Sequence, residues 1–287
     1  MGNSLIKILF TIFLSNLLTI TLIDFIFEDE YKIFKANFKT LLKKESFDKS
    51  CLPKSIKKIP PNSTVLIGHA YGSRRHQHIS KKVKIFLENQ KNNILSVIFT
   101  GDVFYYPSVK KWDELNQDKN YKIYISPGNH DVGIDEGDYW RRDVFEIANS
   151  KYQKKSLPYI VKDNNSIIVI TDSSKTKLEF KKIMNLISEY KNNHIVLSSH
   201  HVLVKEMNRF ANAKRSTNQI LDKKFIEKQF SQFKKITFIY GDGGNPRLPS
   251  IACFKHKNIN HLINGIGDNR GDKLIILKDE KIYQYRL

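Results

Sequence analysis

Six short apolar runs recur along the chain, separated by stretches of helical periodicity. They are TVLI at 64–67, ILSVIFT at 94–100, YKIYIS at 121–126, SIIVIT at 166–171, HIVLSS at 194–199 and ITFIY at 236–240. All are rich in β-branched residues and too short for buried helices, so each is predicted as a strand. Several show no polar alternation, as expected of strands covered on both faces. Helical patterns fall at 79–90, 108–117, 143–153, 177–191 and 221–235. The tail from Ala252 to Leu287 reads as three more strands, with Asp279-Glu280 turning between the last two. This pattern fits an α/β fold, with helices packed on a central sheet system.

The residues that carry chemistry stand just after the strands. Gly68-His69-Ala70-Tyr71-Gly72 comes after the first run and Gly101-Asp102 after the second. Pro127-Gly128-Asn129-His130-Asp131 comes after the third, His200-His201 after HIVLSS, and Gly241-Asp242-Gly243-Gly244-Asn245 after ITFIY. Loops at the carboxyl ends of strands converge on one edge of an α/β sheet. Five loops would therefore bring carboxylate, imidazole, carboxamide and phenol groups together. Such donors suit Mn²⁺, Fe²⁺ or Zn²⁺. Each piece alone is weak, since a Gly-Asp after a strand is usually a turn and a His-His pair is usually structural. Their order and spacing carry the signal. There is no G-x-S-x-G elbow and no P-loop.

In these motifs the chain resembles the calcineurin-like metallophosphoesterase family over about residues 64 to 270, most closely at Gly101-Asp102, Gly128-Asn129-His130-Asp131 and the His of Ser198-Ser199-His200-His201. The resemblance implies a four-layer α/β/β/α sandwich and a site with two divalent metal ions. It implies that Asp102 bridges the metals, that Asn129 and His200 bind the second metal, and that His201 neighbours His200. It also implies that His130 contacts the phosphate or protonates the leaving group, with Asp131 holding its imidazole. Two metals would generate a hydroxide near neutral pH and clamp the phosphate oxygens.

Two motifs depart from the family pattern. Its first motif is Asp-x-His; here those positions are His69 and Tyr71. Its last is Gly-His-x-His; here it reads Gly241-Asp242-Gly243-Gly244. One carboxylate and one imidazole have exchanged places, so His69 and Asp242 are both expected as ligands. Tyr71 could bind as a phenolate or merely hydrogen-bond nearby. Gly244 offers no side chain, and Asn245 could fill in. Arg74, Arg75, His76 and His78 could add positive charge toward a phosphorylated substrate, or form a solvated basic loop.

The chain of 287 residues has a net charge of +19, which would attract polyanions. Its lysines are spread out rather than clustered with aromatics, so nucleic acid is not the expected partner. Cys51 and Cys253 are too few for a disulfide framework, and the sequence does not decide whether they pair. Residues Ile8 to Phe27 are apolar almost throughout. Twenty helical residues span roughly 30 Å, one hydrocarbon thickness. A cleaved signal peptide would want a shorter apolar core and a small-x-small site, so an uncleaved single-pass anchor is expected. The division expected is an anchor at 1–27, a charged connector at 28–62 and the metallophosphoesterase domain at 63–287. The side of the membrane stays open, because the lysine bias is global.

The expected function is a membrane-tethered, metal-dependent hydrolysis of a phosphate mono- or diester, on a substrate that could be lipid-linked or envelope-associated. The alternative is a catalytically degenerate member acting as a binding or scaffold module. A nuclease is a third option, whose signature would be steep salt dependence of DNA binding.

Overall fold

The structure, a computed structural model, describes residues 49–287 apart from 73–77, 118, 134–135, 164, 175–177, 213–219 and 245–247. The expected anchor, most of the connector, Arg74, Arg75, His76 and Asn245 lie outside the described residues. Among the described residues no helix is long and apolar enough to cross a membrane.

Two six-stranded sheets form the centre. The first contains β1 (Lys54–Ile56), β2 (Ser63–Ile67), β3 (Ile94–Phe99), β4 (Lys122–Ile125), β11 (Lys273–Lys278) and β12 (Lys281–Arg286), in the order β1-β12-β11-β2-β3-β4. The second contains β5 (Tyr159–Asp163), β6 (Ser166–Ile170), β7 (His194–Ser199), β8 (Lys235–Tyr240), β9 (Ile251–His256) and β10 (Ile259–Asn264), in the order β5-β6-β7-β8-β10-β9. The helices are α1 (Lys81–Gln90), α2 (Val109–Asn116), α3 (Asn129–Val132), α4 (Trp140–Tyr152), α5 (Phe180–Ile187) and α6 (Lys223–Phe230).

Three apolar layers separate four layers of backbone. Leu66, Ile98 and Ile275 of the first sheet meet Ile168, Val196 and Ile239 of the second. Val65, Val97 and Phe99 point the other way, onto Val83 of α1, Trp112 of α2 and Phe145 of α4. Val169, Leu197 and Phe238 pack on Ile183 of α5 and on Ile226 and Phe230 of α6. Every residue of β2, β6 and β7 is buried, which explains their unalternating sequences. Within this frame α2 and α6 start on side-chain caps, Ser108 on Lys111 N–H and Asp222 on Lys224 and Phe225 N–H.

The tail differs from expectation. It holds four strands, because Lys257-Asn258 makes a two-residue hairpin between β9 and β10 with no glycine to announce it. Lys257 takes the left-handed conformation itself, at φ 51°. Asp279-Glu280 turns between β11 and β12 as expected, also at positive φ. Residues 54–56, at the end of the expected connector, form β1 and pair in parallel with β12. Just before them, Cys51 is bonded to Cys253 of β9, 202 residues away in sequence.

Strands β2, β3 and β4 run parallel, as do β6, β7 and β8. Their carboxyl ends lie along a shared edge. Ser126 Oγ joins the two sheets there, donating to Ser198 O (3.0 Å) and lying 2.8 Å from Ser198 Oγ.

Candidate metal centre

Asp102 sits at the middle of this edge, 2% exposed. Gly101 and Asp102 both take positive φ, 96° and 56°. Position 101 excludes a side chain, since a Cβ there would lie 2.3 Å from His200 Nδ1. A buried aspartate in this region is strained, as is His69 at φ 52°, and such strain gathers at functional sites. The carboxylate of Asp102 has two unlike sides. Oδ1 accepts from His130 N–H (3.0 Å) and stands 3.4 Å from His200 Nε2. Oδ2 stands 3.9 Å from His69 Nε2.

On the first side, His200 is fully buried. Its Nδ1–H donates to Thr100 O at 3.1 Å, which fixes the tautomer because a carbonyl only accepts. Its Nε2 has no hydrogen-bond partner, and the approach to Asp102 is an ion-pair distance rather than a formed bond. Asp242 Oδ1 lies 3.9 Å from the same nitrogen. Ser173 Oγ accepts from both His200 N–H (3.1 Å) and His201 N–H (2.9 Å), holding that turn. His201 Nε2 lies 3.2 Å from Asn129 Oδ1, so His201 steadies the carboxamide.

On the second side, His69 Nδ1–H donates to Ile266 O (3.1 Å), so neutral His69 has its lone pair on Nε2. That lone pair accepts from the Tyr71 hydroxyl at 2.7 Å. The first-motif pair is therefore bonded to itself.

Burial opposes charge throughout. At Asp102 the burial penalty is outweighed by His200, His130 and His69, which hold the carboxyl far below the usual range. Burial lowers His200, but Asp102 and Asp242 raise it to about 9. Burial lowers His69 to about 4 in spite of Asp102.

His130 stands half-buried at the rim, its ring 4.6 Å from that of Tyr105 and 5.4 Å from that of Tyr71. Asp131 does not hold the imidazole of His130, contrary to expectation. Its carboxylate accepts from the N–H groups of Asp102 (2.7 Å), Gly128 (3.0 Å) and Val103 (3.0 Å) instead. It ties the Gly-Asp loop to the Gly-Asn-His-Asp loop. Burial and the neighbouring Asp102 push it up to about 7, against the pull of the Gly128 and Val103 N–H groups.

The model of the calcineurin-like phosphoesterase family matches residues 69–242, more than half of the chain. The chain belongs to the calcineurin-like phosphoesterase family. No curated protein matches it by sequence. Among solved structures, GAP50, "the anchor in the inner membrane complex of Plasmodium", is similar at 11% identity and a TM-score of 0.51, over 78% of this chain and 83% of that one. The phosphopantetheinyl hydrolase PptH of Mycobacterium tuberculosis gives 10% identity and 0.45, over 74% and 92%. Vps29 of Chaetomium thermophilum gives 12% and 0.38, over 79% and 87%.

This calcineurin-like phosphoesterase fits a metal on one side of Asp102 only. Ligands about 2.1 Å from a tetrahedral ion stand roughly 3.4 Å apart. His200 and Asp102 already meet that spacing, Asp242 lies slightly beyond it, and the His200 lone pair is unused. Among the described residues no three His, Cys, Asp or Glu side chains form a ready-made cage. The Tyr71–His69 side fits poorly, since its lone pair is taken. Nor could position 244 supply the missing imidazole of the last motif. A Cβ there would lie 1.9 Å from Gly265 O, and Gly244 has φ 69°.

Sequence patterns alone do not single out Thr100, Ser173 or Ile266, which act through a carbonyl or a hydroxyl just beyond the motifs. Nor do they single out Arg141, which lies just before the helix the periodicity marks at 143–153.

Proposed function

We propose that the chain is a metal-dependent phosphoesterase with one cation, held by Asp102, Asn129, His200 and Asp242. The observation that carries this is the sealed His200 imidazole: one nitrogen is oriented by a backbone carbonyl, and the other faces two carboxylates with no hydrogen bond. A metal-ligating histidine is oriented in this way. When bound, the cation would polarise a phosphoryl oxygen and lower the pKa of a water. The chain's own part is to exclude bulk water from Asp102 and His200, to fix the carboxamide of Asn129 through His201, and to present His130 at the rim. From there His130 would give its proton to the leaving oxygen of a phosphate mono- or diester.

Elemental analysis of full-length protein purified without chelators tests this, together with hydrolysis of p-nitrophenyl and bis(p-nitrophenyl) phosphate. The expected result is one Mn, Fe or Zn per chain and metal-dependent turnover, both lost in Asp102→Asn. A chain that stays metal-free and inactive after Mn²⁺, Fe²⁺ and Zn²⁺ are added would favour a binding or scaffold role. The self-bonded Tyr71–His69 pair motivates that second reading. GAP50, with a similar fold, is described as an anchor.

The apolar stretch at 8–27 supports a single-pass tether, and a lipid-linked or envelope-associated phosphate suits an enzyme so held. The Cys51–Cys253 bond supports a domain facing an oxidising compartment, because such bonds rarely persist in the cytosol.

A further inference from the structure

Arg141, in the first turn of α4, is 6% exposed. Its Nη1 donates to two backbone carbonyls, Tyr105 O at 2.8 Å and His130 O at 2.7 Å. Its Nε donates to Asp138 Oδ1 at 3.1 Å. The guanidinium carbon lies 5.3 Å from the Tyr106 ring centroid and 4.9 Å from that of Trp140. Helix α3 is a single turn, in which Val132 and Gly133 N–H bond to Gly128 O and Asn129 O. Its last carbonyls need partners from elsewhere, and Arg141 supplies the one for His130. The same side chain holds the loop of Tyr105, whose ring flanks the imidazole of His130. A buried arginine is costly unless its donors are used. Here Nη1 serves two loops that both reach the candidate centre, and Nε is paired with Asp138.

From this geometry we infer that Arg141 is the positioning residue for His130, clamping its backbone and the aromatic wall beside it so that the imidazole meets the leaving group. Lysine could take its place only in part, because a point charge lacks the planar guanidinium that bonds both carbonyls through Nη1 and Asp138 through Nε. The inference rests on the reading of His130 as the group that protonates the leaving oxygen.

The test uses full-length protein with Mn²⁺ and two esters, p-nitrophenyl phosphate and phenyl phosphate. A good leaving group needs little protonation and a poor one needs much. General acid catalysis contributes about 10²–10⁴-fold. His130→Ala and Arg141→Gln should therefore share a signature. kcat on phenyl phosphate should fall at least about tenfold more than on p-nitrophenyl phosphate, with KM and metal content little changed. Arg141→Lys should show the same ratio in weaker form. The ratio does not depend on the folded fraction, so a poorly folding variant still reports, and Arg141→Lys serves if Arg141→Gln yields no protein. Equal losses on both esters, no loss, or loss of metal would overturn the positioning role while leaving the phosphoesterase reading in place. A wild-type protein inactive on both esters would overturn that reading and this inference with it.

Discussion

The Tyr71 hydroxyl donates to His69 Nε2 across 2.7 Å, while the opposite nitrogen of the same ring donates to Ile266 O. Both faces of the His69 imidazole are thereby engaged within the protein. On the other side of Asp102, the imidazole of His200 keeps one nitrogen without a hydrogen bond. The two sides of one carboxylate have thus been given different chemistry.

If the cation sits on the His200 side as proposed, Tyr71→Phe should leave metal content at one ion per chain. It should also leave a buried acceptor unsatisfied, lowering stability by about 1–3 kcal/mol. Elemental analysis and urea unfolding measure the two effects. A drop to no metal would make Tyr71 or His69 a ligand.

Gly244→His restores only the second histidine of the family's last motif, with Asp242 still in place of the first. Here it should lower the thermal midpoint and add no second ion, since the Cβ would meet Gly265 O and the backbone sits at φ 69°. A second bound ion in this variant would show that the loop can rearrange around a side chain.

The Cys51–Cys253 bond should survive in cells. Thiols trapped by acid quenching and tagged with a polyethylene-glycol maleimide should shift on gels only after reduction. Two reactive thiols before reduction would place the domain in a reducing compartment. Replacing both cysteines by serine should cost about 2–5 kcal/mol of stability.

His194 is 1% exposed, and its Nε2 lies 2.9 Å from Thr237 Oγ1. Burial, with help from Lys235, lowers it to about 3. As pH falls below the ordinary histidine value of 6.5, the unfolded chain takes up this proton first. Stability present above pH 6.5 is therefore lost progressively down to about 3. At roughly 1.4 kcal/mol per unit, the loss from this residue is about 2 kcal/mol by pH 5. Urea unfolding at pH 7 and pH 5 should show a smaller drop for His194→Gln than for the parent. Equal drops would mean that the residue titrates normally.

Much of the architecture was legible in the sequence because β-branched runs buried on both faces leave a plain mark. All six main runs became strands, and the loops after them meet at one edge. The sequence pattern does not mark β1 or β5, the first being three residues long and the second a run of only three apolar residues ending in Lys162-Asp163. The candidate residues His69, Asp102, Asn129, His200 and Asp242, whose loops the fold brings to one edge, were legible as strand-end motifs. Their directions were not. Nothing in the order of residues tells that Tyr71 spends its hydroxyl on His69, or that Asp131 turns to backbone N–H groups. Those outcomes follow from the strained backbone at His69 and Asp102 and from the close meeting of loops far apart in the chain.

The bond between Cys51 and Cys253 also has a mechanical consequence. Strand β1 is three residues long and pairs only with β12 at the border of the first sheet. Traction on the chain before Cys51 would otherwise reach the domain through that ladder and could unzip it one rung at a time. The covalent link delivers the load to β9, in the other sheet, before β1 feels it. It works as strain relief does on a cable: a pull on the chain ahead of Cys51 leaves the border strand, and the sheet that carries Asp102, slack.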